Sequence, residues 1–265
     1  MASYNANPRD GVAWVTGASS GIGAAVAKAL AREGFTVIAT ARREDKLAEV
    51  AKGEGGRIVP MPCDVTDEAA MAATLEKIVA AHGVPALALF NAGVYIPVHG
   101  EELEVRAFNK TFDVNLKGVV NGLVPVIRYM QTAGRGHVAI VSSITGYGGL
   151  PTGAAYGANK AALTNLAESL KFDLDKMNIR IQSIHPGFVD TPATQKNEFP
   201  MPALMKVEDA ADRIVGGLKG NAFEITFPRR LTYALKFAGL FPYAVYFPII
   251  NRFTGWKKRP LRMDR

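Results

Sequence analysis

The sequence predicts an α/β fold, a single doubly wound sheet of about seven mostly parallel strands flanked by helices. Seven short runs are almost continuously apolar, which is typical of strands that are buried on both faces. Amphipathic stretches of helical length lie between these runs, and the links are short. The sequence shows no internal repeat, low-complexity tract or interdomain linker. This alternation favours one sheet with right-handed crossovers.

The apolar runs that predict strands are residues 12–16, 36–40, 57–61, 87–90, 137–142, 179–184 and 223–227. The amphipathic stretches that predict helices are residues 21–33, 44–52, 67–82, 103–130, 154–177 and 207–218. Thr66 and Asp67 suit the cap of the third helix, because short polar side chains accept bonds from free N–H groups. The composition changes near Asn221. We therefore predict a main domain over residues 1–227 and an aromatic, basic C-terminal extension over residues 228–265.

Composition narrows the classes of protein. With 48% apolar and 21% charged residues, the chain is an ordinary globular protein rather than a disordered one. Cys63 is its one cysteine, so a disulfide within the chain is excluded and a reducing, cytoplasmic setting is expected. The four histidines lack the spacing of metal ligands, and no metal site is predicted. The first ten residues are polar and predict no secretory signal.

A glycine-rich turn follows the first predicted strand and leads into a helix. Glycines permit a tight turn and a close backbone approach to a pyrophosphate, and the helix N-terminus adds N–H groups and a positive dipole end. The G-x-x-x-G-x-G spacing differs from the common G-x-G-x-x-G pattern, and an ordinary tight turn is the alternative. Its place after the first strand favours a Rossmann-type dinucleotide site. The candidate contacts are Gly17, Ser19, Ser20, Gly21, Ile22 and Gly23.

Two arginines occupy the end of the second strand. An acidic residue there would accept a hydrogen bond from the ribose 2′-OH of NAD, but this segment has Arg42 and Arg43 before its first carboxylates. A guanidinium pairs well with the 2′-phosphate of NADP. The alternative is that the two arginines are solvated at the start of the next helix, where positive charge is mildly unfavourable. The sequence therefore favours NADP(H) over NAD(H).

A tyrosine and a lysine four residues apart share one face of a predicted helix. Such pairs are common by chance, but an ammonium near a phenol stabilises the phenolate and lowers the pKa of Tyr156 towards a useful range. Lys160 supplies that ammonium. Ser143 lies thirteen residues before Tyr156, at the carboxyl end of a strand, where active sites of open sheets lie. Ser142 is the neighbouring candidate.

Taken together, these elements resemble the short-chain dehydrogenase/reductase family over about residues 11–192. The family spacing to the tyrosine selects Ser143 over Ser142. Each element is weak by itself, whereas the ordered set is specific. Besides the glycine turn, Ser143, Tyr156 and Lys160, the matching residues are Asp64, Val65, Asn91, Ala92, Gly93, Asn115, Pro186, Gly187, Val189 and Thr191.

The resemblance implies a role for each residue. Tyr156 would give or take the proton, Ser143 would hydrogen-bond the substrate oxygen, and Lys160 would bind the nicotinamide ribose and lower the pKa of Tyr156. Asn115 would hold a water that connects Lys160 to solvent. Asp64 would contact adenine, Asn91 would support the sheet near the cofactor, and residues 186–191 would cover the nicotinamide. For three of these residues a purely structural role is the alternative. Asn115 could kink its helix, Asp64 could be a cap, and Thr191 could belong to an ordinary turn.

The implied activity is an NADP(H)-dependent transfer of hydride between nicotinamide and an alcohol or ketone. The alternative is a dinucleotide-binding regulator or sensor without turnover. An epimerase is disfavoured because the chain has no large C-terminal substrate domain. We expect a neutral, hydrophobic small-molecule substrate, because the residues near the expected site are apolar and no Arg or Lys is placed there to clamp a carboxylate. Those residues are Val94, Tyr95, Ile96, Ile144, Tyr147, Leu150 and Phe188.

The extension departs from the family. Many members end in D-G-G soon after the last strand, but this chain continues for 38 residues with nine Lys or Arg against one Asp. The common tetramer is therefore in doubt, and a homodimer or homotetramer is expected. Aromatic and basic composition fits contact with an anionic membrane, and equally fits packing over the cleft or a subunit interface. No nucleic-acid-binding module appears. A smaller departure is Phe90, where the family usually has Asn.

Overall fold

The predicted sheet is present in the computed structural model, which describes residues 2–196 and 200–261. The last four residues of the predicted extension, 262–265, lie outside the described part of the chain. All strand pairs are parallel, in the order β3-β2-β1-β4-β5-β6-β7. The strands are β1 Ala13–Thr16, β2 Val37–Thr40, β3 Ile58–Pro60, β4 Leu87–Phe90, β5 Gly136–Val141, β6 Ile179–Pro186 and β7 Glu224–Phe227.

Helices fill the crossovers between the strands and continue into the extension. Asp67 caps α3 as expected, since its side chain accepts a 2.9 Å hydrogen bond from the Ala70 amide. The helices are α1 Gly21–Arg32, α2 Glu44–Ala51, α3 Glu68–His82, α4 Val105–Phe112, α5 Gly118–Thr132, α6 Ala154–Leu174, α7 Val207–Leu218, α8 Arg229–Ala238 and α9 Tyr243–Thr254. Among the described residues, none of these helices is long and apolar enough to cross a membrane.

Two apolar layers cover the sheet, as alternating strand residues require. Ala13 and Val15 of β1 face the layer that includes α1 and α7, whereas Trp14 faces the layer of α3, α5 and α6. Strand β1 pairs with β2 on one side and β4 on the other. The winding direction therefore reverses beside β1, which opens a crevice at the carboxyl ends of the strands.

The helix predicted over residues 103–130 is interrupted, which corrects that prediction. Helix α4 ends at Phe112, a π-helical turn covers Asp113–Lys117, and α5 then begins at Gly118. A π turn inserts one extra residue into a helix and re-aims the side chains around it. Here the turn contains Asn115, whose carboxamide is fully buried.

The extension folds back on the sheet as α8 and α9. A third apolar cluster joins Leu231, Leu235 and Ile250 of the extension to Ile144 and Phe188 of the main body. Two ion pairs also connect the two parts, Lys236 with Glu224 and Arg259 with Glu101. The described part of the extension therefore contacts the residues that follow β5 and β6.

Candidate active site

A cleft of about 640 Å³ opens at the carboxyl ends of the strands, beside the point where the winding reverses. It brings together nearly all the residues predicted from the sequence. Among the predicted cofactor and catalytic residues, the exceptions are Gly23 and Asn115, which do not line it. At one end lie the glycine turn and the two arginines, and at the other lie Ser143, Tyr156 and Lys160.

Two glycines of the turn, Gly17 and Gly23, leave no room for a side chain. Gly17 has φ +67°, and a Cβ there would lie 2.7 Å from Cα of Ala92. A Cβ on Gly23 would overlap the Gly17 carbonyl oxygen and the Asn91 amide. The Thr16 hydroxyl accepts bonds from the Asn91 and Ala92 amides, at 3.1 and 3.2 Å. The loops after β1 and β4 are therefore fixed to each other, with Asn91 between them.

The arginine end of the cleft is built for an anion. Arg43 donates to the hydroxyls of Ser19 and Ser20, each at 3.1 Å, and so lies across the turn that leads into α1. Arg42 lies 3.9 Å from the Asp64 carboxylate, and both side chains remain substantially exposed. The positive charge of the guanidinium groups and the positive N-terminal end of the helix dipole repel each other. A phosphate bound between them would relieve that repulsion.

Ser143, Tyr156 and Lys160 meet at the other end of the cleft. Ser143 follows β5 and hydrogen-bonds Tyr156. The Lys160 ammonium is buried, donates to the Val141 carbonyl at 2.6 Å, and lies 5.4 Å from the centre of the Tyr156 ring. Ser142 instead donates to the Lys160 carbonyl at 2.8 Å, so its hydroxyl is used to hold helix α6.

The pKa of Tyr156 differs from the expectation drawn from the sequence. Burial raises it to about 12, although the hydrogen bond from Ser143 acts in the opposite direction. Burial also lowers the pKa of Lys160 to about 8. The ammonium lies over the ring and is bonded to Val141, so it does not offset the desolvation of the phenolate in this structure.

Two further predicted residues have clear structural contacts. The Asn115 side chain accepts from the Val94 amide at 2.7 Å and donates to the Val94 carbonyl at 2.9 Å. Asn115 therefore holds the loop after β4 in place without lining the cleft itself. Asp64 accepts from the Thr66 amide and hydroxyl at 3.0 and 2.9 Å, which is the turn-capping arrangement, while it also faces Arg42.

Four apolar residues expected near the substrate lie elsewhere, which is a correction. Ile144, Tyr147, Leu150 and Phe188 do not line the cleft. They form or adjoin the apolar cluster that packs against the extension. Nearness in sequence to Ser143 or Pro186 does not fix the direction of a side chain. Val94, Tyr95 and Ile96 do line the cleft, as expected.

Sequence reasoning missed Lys110 and Thr194, which also line the cleft. Lys110 lies on α4, five residues before Asn115, and no sequence signal marks it. The Thr194 hydroxyl accepts from the Thr191 amide at 3.0 Å and donates to the Val189 carbonyl, so it fixes the loop after β6. The Thr-x-x-Thr spacing in a turn was the available signal.

A polar network lies behind Ser143. The His185 ring faces the Ser143 carbonyl at 3.2 Å and the Ser183 hydroxyl at 2.8 Å. Tyr147 stacks on that ring with centres 4.7 Å apart, and its hydroxyl donates to Glu224 at 2.8 Å. Burial lowers the pKa of His185, so the imidazole is neutral near neutral pH.

The comparisons with known proteins agree with this arrangement. A sequence model of the family described as short chain dehydrogenase matches residues 11–200. An uncharacterized oxidoreductase of Myxococcus xanthus is 36% identical over 233 residues, covering 87% of this chain and 92% of that protein.

Solved structures show the same fold. A short-chain dehydrogenase from Streptomyces avermitilis superposes with a TM-score of 0.79 at 24% identity, covering 93% of this chain and 96% of that one. An alcohol dehydrogenase from Thermococcus sibiricus, in complex with 5-hydroxy-NADP, has a TM-score of 0.72 at 27% identity, covering 82% and 95%. The chain therefore belongs to the short-chain dehydrogenase family of oxidoreductases, which bind a nicotinamide dinucleotide.

Proposed function

We propose that the protein is an NADP(H)-dependent oxidoreductase that interconverts an alcohol and a ketone, with Tyr156 as the proton donor and acceptor. One observation carries the proposal. A single cleft holds two arginines and a glycine turn at one end and the Ser143, Tyr156 and Lys160 side chains at the other. A dinucleotide is long enough to join a phosphate-binding end to a proton-transferring end.

The arginine end supports a preference for NADP(H). Arg42 and Arg43 provide two guanidinium groups where a 2′-phosphate would lie, and Asp64 lies beside them for the adenine. Gly17, Ser19, Ser20, Gly21 and Ile22 surround the place of the pyrophosphate. Asn91, Ala92, Gly93, Val65, Pro186, Gly187, Val189 and Thr191 complete the cofactor side of the cleft.

The other end supports acid/base chemistry. The bound nicotinamide would supply or accept the hydride. Tyr156 would protonate the carbonyl oxygen during reduction, and Ser143 would hold that oxygen by a hydrogen bond. Lys160 would leave the Val141 carbonyl for the ribose and bring its charge closer to the phenol, which would lower the pKa of Tyr156. Asn115 would act indirectly, by positioning Val94.

The lining of the cleft supports a neutral, apolar substrate. Val94, Tyr95 and Ile96 are beside the reacting end. Apart from Lys160, the cations that line the described cleft are Arg42, Arg43 and Lys110. Arg42 and Lys110 also border the groove beside Asp64, at the adenine end. A substrate carboxylate would therefore have no free cation at the reacting end.

The test is Tyr156→Phe, which removes one hydroxyl and keeps the ring. NADPH oxidation with a panel of uncharged ketones should fall by about 10²–10⁴-fold. The dissociation constant for NADPH, measured by fluorescence, should change little. Tyr129→Phe makes the same chemical change on α5 and should retain turnover. Near-normal turnover in Tyr156→Phe would remove the assigned role, and no turnover by the unaltered protein would favour a sensor.

We also propose a homodimer or homotetramer in the cytoplasm. Membership of an oligomeric family supports the assembly, and the single, buried, free Cys63 fits a reducing compartment. Light scattering of the purified full-length chain gives the mass that distinguishes monomer, dimer and tetramer.

A further inference from the structure

The two helices of the extension have opposite faces of different character. Their inner face is buried against the main body through Leu231, Leu235, Tyr246 and Ile250. The two helices and the turn between them also carry six aromatic side chains whose exposed fractions range from 38 to 76%. We call these six residues the aromatic face. They are Tyr233, Phe237, Phe241, Tyr243, Phe247 and Phe253.

Four of the six rings of the aromatic face meet in two pairs. Phe237 and Phe241 meet edge to face with centres 5.1 Å apart, and Tyr243 stacks on Phe247 at 5.6 Å. Leu240, in the turn between the two helices, is 80% exposed and extends the patch. Large apolar patches on a protein surface mark a place where a partner binds.

The charges around this patch identify the partner. No Asp or Glu occurs between residues 228 and 261. Lys236 and Arg259 pair with carboxylates of the main body. The remaining cations find no ion-pair partner among the described residues. These are Arg229, Arg230, Arg252, Lys257 and Lys258.

The free cations belong to the same surface as the rings. Arg230 precedes Tyr233 by three residues and Phe237 by seven, a spacing that puts all three on one side of α8. Arg252 is exposed in the last turn of α9, and Lys257 and Lys258 follow that helix. The surface therefore combines exposed rings with unpaired positive charge.

We propose that the aromatic face and its five cations dock on the surface of an anionic phospholipid bilayer. An amphipathic helix with aromatic side chains and Lys or Arg lies in the interfacial plane, where the rings enter the headgroup boundary and the cations contact lipid phosphates. A second copy of the same face is a poorer occupant, because it would bring five unpaired cations against five others. The proposal does not depend on the cofactor or substrate.

Docking there would place the bilayer close to the cleft. A Cβ on Gly187, which lines the cleft, would lie 3.0 Å from Pro228 and 3.3 Å from Leu231 of α8. The inner face of α8 thus touches the back of the segment that lines the cleft.

The test is flotation of the full-length protein with vesicles. We expect binding to vesicles of 70% phosphatidylcholine and 30% phosphatidylglycerol, weaker binding to phosphatidylcholine alone, and release as salt rises. Arg230→Gln with Arg252→Gln should weaken binding about 25-fold, at about five-fold for each charge near the surface. Phe237→Ser with Phe247→Ser should weaken it by at least about ten-fold.

Matched controls make the result specific to this surface. Phe172→Ser removes a ring that is 76% exposed on α6, and Lys52→Gln with Arg128→Gln removes two exposed charges, one just after α2 and one on α5; both should bind like the unaltered protein. Absence of binding to anionic vesicles overturns the proposal, as does equal loss in the controls. A fall in oligomer mass in the Phe237→Ser, Phe247→Ser variant without vesicle binding by the unaltered protein assigns the face to a second copy instead.

Discussion

Lys236 of α8 forms an ion pair with Glu224 of β7, and this pair joins the extension to the network behind Ser143. The Lys236 ammonium also lies 4.8 Å from the centre of the Tyr147 ring, which stacks on His185. Burial raises the pKa of Glu224, but the hydrogen bonds from Lys236 and Tyr147 outweigh it and hold that pKa below its usual range. A cation of the extension thus stabilises a half-buried carboxylate near the active site.

Removing the Lys236 ammonium should show how far the stability of the protein depends on its pair with Glu224. Lys236→Met leaves the Glu224 carboxylate with Tyr147 but without its ammonium, and should lower the free energy of unfolding by about 1–3 kcal/mol. Glu224→Gln in the same background should restore part of the loss. Urea unfolding of both single variants and the double variant gives the coupling energy. Strictly additive effects would show that the pair contributes nothing to stability.

The arginine pair should decide between the two nicotinamide dinucleotides. Arg42→Asp places a carboxylate beside the position of the 2′-phosphate, and should weaken NADPH by about 10–100-fold while NADH binds as well or better. Arg43→Ala should weaken NADPH by a similar factor, since it removes the guanidinium that crosses Ser19 and Ser20. Fluorescence titration with both cofactors measures the ratio. Lys52→Ala serves as an exposed control, and a native preference for NADH would contradict the assignment.

The glycine turn should tolerate no methyl group at Gly23. A Cβ there meets the Gly17 carbonyl and the Asn91 amide, neither of which can move freely. Gly23→Ala should therefore cost about 1–3 kcal/mol of stability and more than ten-fold in NADPH affinity. Gly216→Ala on α7 is the matched control, because nothing lies within 4 Å of its Cβ position. It should stabilise the protein by about 0.5–1 kcal/mol. Thermal melts with and without NADPH distinguish these results.

Stability should fall in acid through a buried histidine. Burial, aided by the charge of Arg180, lowers the pKa of His137 to about 4 despite its 2.7 Å bond to Gln182. The unfolded chain binds a proton near pH 6.5, whereas the folded chain does not. The contribution of His137 to the free energy of unfolding is therefore complete above pH 6.5. It falls by about 3 kcal/mol as the pH is lowered towards 4.

His137→Gln keeps a donor for Gln182 but does not titrate. The free energy of unfolding, measured in urea at pH 7 and pH 4.5, should differ less in this variant than in the unaltered protein by about 2–3 kcal/mol. His82→Gln, on the exposed end of α3, should leave the pH dependence unchanged. An equal dependence in all three proteins would show that His137 is not the responsible group.

Most of the sheet could be predicted because buried parallel strands carry their own signature. The positions of β1 and the glycine turn followed from Ala13, Val15 and the glycines themselves. The π turn at Asn115 was not predicted, because one extra residue shifts the phase of the apolar pattern at a single point, which a sequence does not distinguish from irregular spacing in one long helix. Its effect is visible only where the Asn115 carboxamide meets both backbone groups of Val94.

The substrate side was harder to predict than the cofactor side. A dinucleotide site depends on backbone geometry, which glycines and strand ends report locally. For an apolar residue near a motif, the local sequence does not indicate which way the side chain points. Tyr147 and Phe188 were expected in the cleft, but the extension offers them a buried apolar surface of its own. Only the folded position of α8 and α9 decides between these two places.

The ion pairs at either end of the extension limit how it can be exchanged between relatives. Lys236 needs the carboxylate of Glu224, and Arg259, which is largely buried, needs that of Glu101. A chimaera that receives residues 228–261 without both acids would leave Lys236 and the largely buried Arg259 with no counter-charge. The extension must therefore be transplanted together with the acidic residues at positions 101 and 224. We expect these three parts of the sequence to vary together among homologues.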